Sequence, residues 1–179
     1  MKKVRILAIV FSLLWVSCSA LPRSSKPSFG LVGFRDIKWG TEISALTGMV
    51  KVEEGKSSDS NFVWYTRNGD TSAIGKARLK NIIYGFWMGN FGSVWVDFEG
   101  DDNFETLKKE LFERFGNVRE SARDFYAWEG KDTEMSLSYS KDHHNGVLSI
   151  DSRKINEERR AYDKQRDKEK REKEGGTLK

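Results

Sequence analysis

Cysteine, proline and histidine are scarce in this chain of 179 residues, which contains one, two and two of them respectively. A single cysteine excludes a small fold held together by disulfides and provides no cysteine cluster for a structural metal site. A multi-span membrane protein needs several apolar runs of about 20 residues each, and this sequence does not contain them. Neither a G-x-G-x-x-G pattern nor a Walker loop is present, so nothing in the sequence supports a nucleotide-dependent enzyme. We therefore expect no cofactor and no metal.

The net charge of +4 comes from the two ends of the chain. Residues 153–179 hold 11 basic and 7 acidic side chains, and residues 1–17 hold three basic side chains and no acidic one. The part between them, 18–152, has 17 basic and 20 acidic residues. Nucleic-acid binding needs a basic face on the fold itself, so we predict no nucleic-acid partner.

The N-terminal segment, 1–20, is typical of a signal peptide. Lys2, Lys3 and Arg5 precede an apolar run over 6–16, and that run is too short to cross a bilayer comfortably. Positive charge, apolar block and small residues follow one another in the order of an export signal. The chain is therefore expected to be exported.

A lipid anchor at Cys18 is the modification that this segment favours. Residues 15–18 resemble a bacterial lipobox, whose cysteine is diacylated and becomes the mature N-terminus, with Trp15 where such families usually carry leucine. Several acyl chains on one residue anchor a protein firmly, and by the bacterial sorting pattern Ser19 favours the outer membrane. The alternative is cleavage after Ala20, which would release a periplasmic chain.

Composition divides the rest of the chain into three parts. Residues 21–33 contain both prolines and are typical of a flexible linker. Residues 34–152 alternate apolar and polar positions and are predicted to fold as one domain. In 153–179, opposite charges four residues apart predict a solvated helix, whose basic excess leaves open a contact with anionic lipid.

The predicted domain is α+β: a curved antiparallel sheet with two helices packed on one face, followed by the charged C-terminal helix. The two helices are expected over 42–47 and 103–115, and Asp102 is the predicted N-cap of the second. Strands are expected over 34–39, 49–53, 62–67, a hairpin within 80–98, 125–128, 135–139 and 147–150.

The hairpin within 80–98 is the clearest strand signal. A three-residue turn over 88–90 places alternate residues on a common face: Ile82, Tyr84, Phe86, Val94, Val96 and Phe98. Trp87, Phe91 and Trp95 then line the other face. Exposed aromatic side chains are good anchors for a partner, so these three are the predicted partner-binding residues. A helix that covers them is the alternative.

The only histidines, His143 and His144, follow Asp142 in a predicted hairpin loop. A metal site needs several convergent ligands, which this loop does not supply in sequence. We therefore predict an exposed hairpin tip and no catalytic residue. The alternative is an envelope hydrolase that uses Asp142, His143 or His144, and it requires a concave pocket at the tip.

Three segments resemble a family of uncharacterised exported bacterial proteins: FRDIKWGT at 34–41, YGF at 84–86 and NF at 103–104. The likeness spans about 34–150. It implies export and a single α+β domain, and it brings no known activity. The combined prediction is a non-enzymatic protein of the cell envelope, a binding or adaptor module for an unidentified partner.

Overall fold

A computed structural model describes residues 31–52, 61–118 and 120–175. It contains two α-helices, α1 (Asp101–Phe115) and α2 (Arg153–Gly175), and a 3₁₀ turn at Ile43–Ala45. The strands are β1 (Gly33–Phe34), β2 (Ile37–Lys38), β3 (Met49–Lys51), β4 (Phe62–Arg67), β5 (Ala73–Ile74), β6 (Ala77–Arg78), β7 (Asn81–Trp87), β8 (Asn90–Glu99), β9 (Glu120–Ala122), β10 (Phe125–Glu129), β11 (Thr133–Ser140) and β12 (Asn145–Ser152).

Eight of these strands form one antiparallel sheet in the order β3-β4-β7-β8-β12-β11-β10-β9. Two four-stranded meanders make up this sheet, and their last strands, β8 and β12, pair at its centre. A helix follows each meander: α1 follows β8, and α2 follows β12. The short hairpins β1-β2 and β5-β6 lie outside the sheet.

The prediction of an α+β domain with a curved sheet and two helices on one face is wrong. Among the described residues strand exceeds helix, at 44% against 29%, and eight of the strands form a single large antiparallel sheet. The predicted helix over 42–47 is only the 3₁₀ turn. Its backbone instead bonds to the start of β8: Ile43 N–H donates to Gly89 O at 2.9 Å, and Phe91 N–H donates to Thr41 O at 2.9 Å. These bonds hold the segment extended where it enters the turn, at Glu42.

The core lies between α1 and one face of the sheet, which we call the core face. Alternation along β7 and β8 places Tyr84, Val94 and Val96 there, each fully buried. Helix α1 contributes Phe104 and Leu107, also buried, so its apolar stripe covers the centre of the sheet. Gly100, at φ 91°, is the N-cap of this helix. The prediction of Asp102 at that position is wrong by two residues.

A bulge changes the register at the tip of the β7–β8 hairpin. The turn has two residues, Met88 and Gly89, both with positive φ as in a type I′ turn, so Trp87 pairs with Asn90. An extra residue, Gly92, then enters β8, and from the Gly85–Ser93 pair onward the register is the predicted one.

Helix α2 lies against the opposite face of the sheet. Its first turn places Ile155, which is 6% exposed, in a small cluster with Phe62 and Trp87. Ser152 Oγ accepts a hydrogen bond from Ile155 N–H at 3.3 Å and so caps the start of the helix. Residues 164–173 are all exposed. Within the described part of the chain, no helix combines the length and apolarity that crossing a membrane requires.

Candidate functional site

The sheet face opposite α1, which we call the Trp95 face, has a row of side chains that crosses five strands. Cross-strand pairing aligns Ile83 on β7, Trp95 on β8, Ser149 on β12, Ser136 on β11 and Ala127 on β10. From Trp95 onward the side chains of this row become smaller, so the Trp95 indole lies beside a row of serine and alanine side chains. Helix α2 contacts a different end of this face.

Trp95 is the exposed aromatic residue of this face, at 40% exposure. Its indole N–H donates to Asp97 Oδ1 at 2.8 Å, and Asp97 lies two residues along the same strand on the same face. This hydrogen bond holds the indole in one orientation. A fixed, partly exposed indole can bury a large apolar area on contact at little cost in side-chain entropy.

Phe91 lies on the opposite face from the one predicted. Because the turn has two residues, Phe91 pairs with Phe86 on the core face, where it is fully buried. Its ring packs against Trp39 at 4.8 Å and Phe86 at 5.4 Å between centroids. The placement of Phe91 among the surface aromatic residues is therefore wrong, and the bulge at Gly92 is the reason.

Trp87 is on the predicted face, but α2 covers it. It is 8% exposed, and its ring lies 6.0 Å from that of Tyr162 between centroids. Its indole Nε1 is buried and has no hydrogen-bond partner within the described residues. A buried donor without a hydrogen-bond partner lowers the stability of the fold by about 1–3 kcal/mol. The packing of α2 over Trp87 therefore leaves this polar group uncompensated.

A buried carboxyl group lies next to Trp95 on the same face. Asp151 pairs with Ser93 across β8 and β12, and the hydroxyls of Ser93 and Ser149 both donate to its carboxylate, the first at 2.5 Å. Burial raises the pKa of Asp151, against the lowering effect of these two hydroxyls. The hydroxyls therefore compensate only part of the cost of desolvating the charge.

The histidine loop forms an exposed hairpin tip. Asp142, His143 and His144 are all exposed, and His144 Nδ1 lies 3.1 Å from Asp101 Oδ1. The Tyr139 hydroxyl donates to the same Asp101 carboxylate, which lowers the pKa of Asp101. These contacts join the hairpin to the first residue of α1. The histidine side chains are exposed to solvent at this tip, as predicted for the loop.

Two ion pairs connect the β1–β2 turn to the end of β4 and the loop after it. Arg67 donates to both oxygens of Asp36, at 2.5 and 2.8 Å, and these bonds lower the pKa of Asp36 to about 2. Arg35 pairs with Asp70, and Asp70 also accepts a 2.6 Å hydrogen bond from Tyr84 Oη. The members of this network are separated by up to about 50 residues and share no spacing motif, so the sequence alone does not predict it.

Among the described residues, no group of histidine, cysteine, aspartate or glutamate side chains is arranged to hold a metal ion. The predicted lipidation site, Cys18, lies outside the described residues. Of the predicted partner-binding residues, the structure leaves Trp95 accessible, places Trp87 under α2 and places Phe91 in the core.

Comparisons of the chain with family models, curated proteins and solved structures give no match.

Proposed function

We propose that this chain is a non-enzymatic binding module of the bacterial cell envelope that docks a protein partner on the Trp95 face. One observation supports the proposal above all: a 40% exposed tryptophan stands near the centre of a sheet face that α2 covers only at one end. Partner contacts are commonly built around such an aromatic anchor.

The ordinary explanation of this face is that it is simply hydrated, as one side of an antiparallel sheet can be. The serines of the row fit that explanation, since polar side chains are expected on a solvated face. Trp95 does not fit this explanation, because its indole is a large apolar group and its hydrogen bond to Asp97 fixes its orientation. A protein partner that covers Trp95, Ser149 and Ser136 would bury the exposed indole.

The binding test compares two single substitutions of exposed apolar residues. Trp95→Ala removes the anchor, and Val50→Ala, at a 47% exposed position on β3, is the matched control. A tagged full chain is purified from its own host after cross-linking, and co-purified proteins are identified by mass spectrometry. We expect a partner that is retained by Val50→Ala and lost by Trp95→Ala. Retention of every partner by both variants would contradict the proposal.

The location in the envelope rests on the sequence of 1–20, with Cys18 as the lipid-anchored residue and the outer membrane as the favoured site. Intact mass of the mature product tests it. We expect a chain that begins at Cys18 and carries acyl groups. A chain that begins at Leu21 would replace the anchored protein by a periplasmic one, and an uncleaved cytoplasmic chain would contradict export.

A further inference from the structure

The Trp95 face is acidic along its five central strands, β7, β8, β12, β11 and β10. The cross-strand register places no lysine or arginine of these strands on this face. It places five acidic side chains there: Asp97, Glu99, Glu129, Glu134 and Asp151. The strands themselves therefore surround the Trp95 indole with negative charge only.

Cations from neighbouring segments pair with part of this acidic set, and Asp97 is left out. Lys80 pairs with Glu99, and Arg153 pairs with Glu129. Among the described residues, no lysine or arginine forms an ion pair with Asp97. The pKa of Lys80 is raised mainly by its bond to Glu99, and Asp97 adds only a smaller effect. The carboxylate beside the exposed indole is therefore the one without a cation of its own.

The covered end of the same face already holds an arginine over an aromatic ring. The guanidinium of Arg159, on α2, lies 5.3 Å from the centre of the Phe62 ring. That ring lies over Gly85, and cross-strand pairing continues from Gly85 through Ser93 to Asp151. The charge of Arg159 opposes the rise in pKa that burial causes at Asp151. An arginine thus serves both an aromatic ring and a carboxylate where α2 covers the sheet.

The open end of the face has the same two components, a ring and a carboxylate, in Trp95 and Asp97. The indole N–H donates to Asp97 Oδ1 at 2.8 Å, so the carboxylate lies at the edge of the ring. Asp97 Oδ2 accepts no hydrogen bond from the described part of the chain. A planar guanidinium can stack on an indole and pair with a carboxylate beside it at the same time.

We infer that the partner docks on the Trp95 face through an arginine side chain, whose guanidinium stacks on the Trp95 indole and pairs with Asp97. The inference rests on the proposed function and specifies the chemistry of the partner: a protein with an exposed arginine in a basic surface. The acidic side chains around Trp95 favour such a surface by charge complementarity. The partner's arginine repeats at the open end of the face the contact that Arg159 makes at the covered end.

The test is an NMR titration of the ¹⁵N-labelled full chain with a capped pentapeptide of alternating glycine and arginine. The readout is the indole N–H resonance of Trp95, assigned by its loss in Trp95→Phe. The control peptide carries citrulline, an uncharged analogue of arginine with nearly the same shape. We expect the arginine peptide to shift this resonance and the citrulline peptide to bind more weakly by about tenfold or more.

Asp97→Asn removes the charge and keeps an oxygen that can accept the indole N–H bond. It should weaken binding of the arginine peptide by about tenfold, as for the loss of a charge-assisted bond. Asp142→Asn is the matched control, because it removes one negative charge at the exposed hairpin tip. We expect this control to leave the affinity unchanged.

Three results would overturn the inference. The first is that both peptides shift the Trp95 resonance equally, or that neither shifts it. The second is that Asp97→Asn and Asp142→Asn weaken binding equally. The third comes from co-purification: a partner that is lost by Trp95→Ala and retained by Asp97→Asn would exclude the arginine contact and leave the proposed function standing. The comparison of the two peptides uses the wild-type chain, so it is decisive even if Asp97→Asn fails to fold.

Discussion

Ile155 rests directly on Gly92: a Cβ on residue 92 would lie 2.4 Å from Ile155 Cγ2, closer than real Cβ contacts. Gly92 is the extra residue of the bulge in β8, and Ile155 is in the first turn of α2. The bulge that moves Phe91 into the core therefore also provides, at Gly92, a position without a side chain against which α2 packs.

Gly92→Ala should destabilise the fold by about 1–3 kcal/mol, since the added methyl group pushes into Ile155. The free energy of unfolding, measured by urea denaturation, checks this. The double variant Gly92→Ala/Ile155→Ala is the control, because the shorter side chain makes room for the methyl group. We expect the double variant to lose less than the sum of the two single losses. Strict additivity would show that the two residues do not press on each other.

Phe91→Ala and Trp95→Ala should differ in their effect on stability. Phe91 is fully buried, so its truncation should cost about 3–5 kcal/mol by loss of burial and creation of a cavity. Trp95 is 40% exposed, and its truncation should cost roughly 1–2 kcal/mol. Both are measured by urea denaturation. Equal losses would mean that the two residues occupy similar environments, contrary to the bulged register.

Asp36→Asn should reduce the sensitivity of the fold to acid. The pKa of Asp36 is lowered from 3.8 to about 2 by Arg67, so the ionised folded state is favoured. The stabilisation is present above pH 3.8 and is lost as pH falls toward 2. At about pH 5 the wild-type chain should therefore be more stable than the variant. This difference in the free energy of unfolding should disappear as the pH approaches 2.

Urea denaturation over this pH range at low salt measures the effect, since salt screens an exposed pair. Asp142→Asn, at the exposed hairpin tip, is the control for the loss of one negative charge. A pH dependence of Asp36→Asn identical to that of the wild type would contradict the assigned role of the Arg67 pair.

Asp151→Asn should have the opposite pH profile. Burial raises the pKa of Asp151, so its ionised form is unfavourable in the folded state, and stability is lost as pH rises through the folded pKa. The amide removes the buried charge, and we expect a higher melting temperature at neutral pH. This gain should shrink as pH falls below the ordinary value of 3.8. A lower melting temperature at neutral pH would mean that the Ser93 and Ser149 bonds outweigh burial.

The alternation of apolar and polar residues predicted the strands well where the two faces of the sheet differ in polarity. Strand β4 has the predicted bounds, and Tyr84 and Val94 share the predicted face. Alternation fails at Phe91, because an inserted residue is invisible to a period of two. The sequence did contain one indication: Gly92 has no side chain to assign to either face and is a common choice where a strand bulges.

The arrangement of the helices was harder to predict for a different reason. The apolar stripe of α1 is a strong signal, and its C-terminal end at Phe115 is confirmed. Helix α2 contacts the sheet through Ile155, Arg159 and Tyr162. Ile155 is the buried apolar residue among these three, and a single such residue does not form the apolar stripe by which a packed helix is recognised in a sequence. Likewise, the exposure of Trp95 and the covering of Trp87 depend on where α2 lies, which local sequence does not specify.

The outermost strands of the sheet, β3 and β9, each contain three residues among those described. A neighbouring molecule that tried to extend the sheet at either border would find only a few unpaired backbone groups to bond. Lys51, an exposed residue, adds charge at the β3 border. The two short border strands therefore give the eight-stranded sheet little edge along which copies of the chain could polymerise.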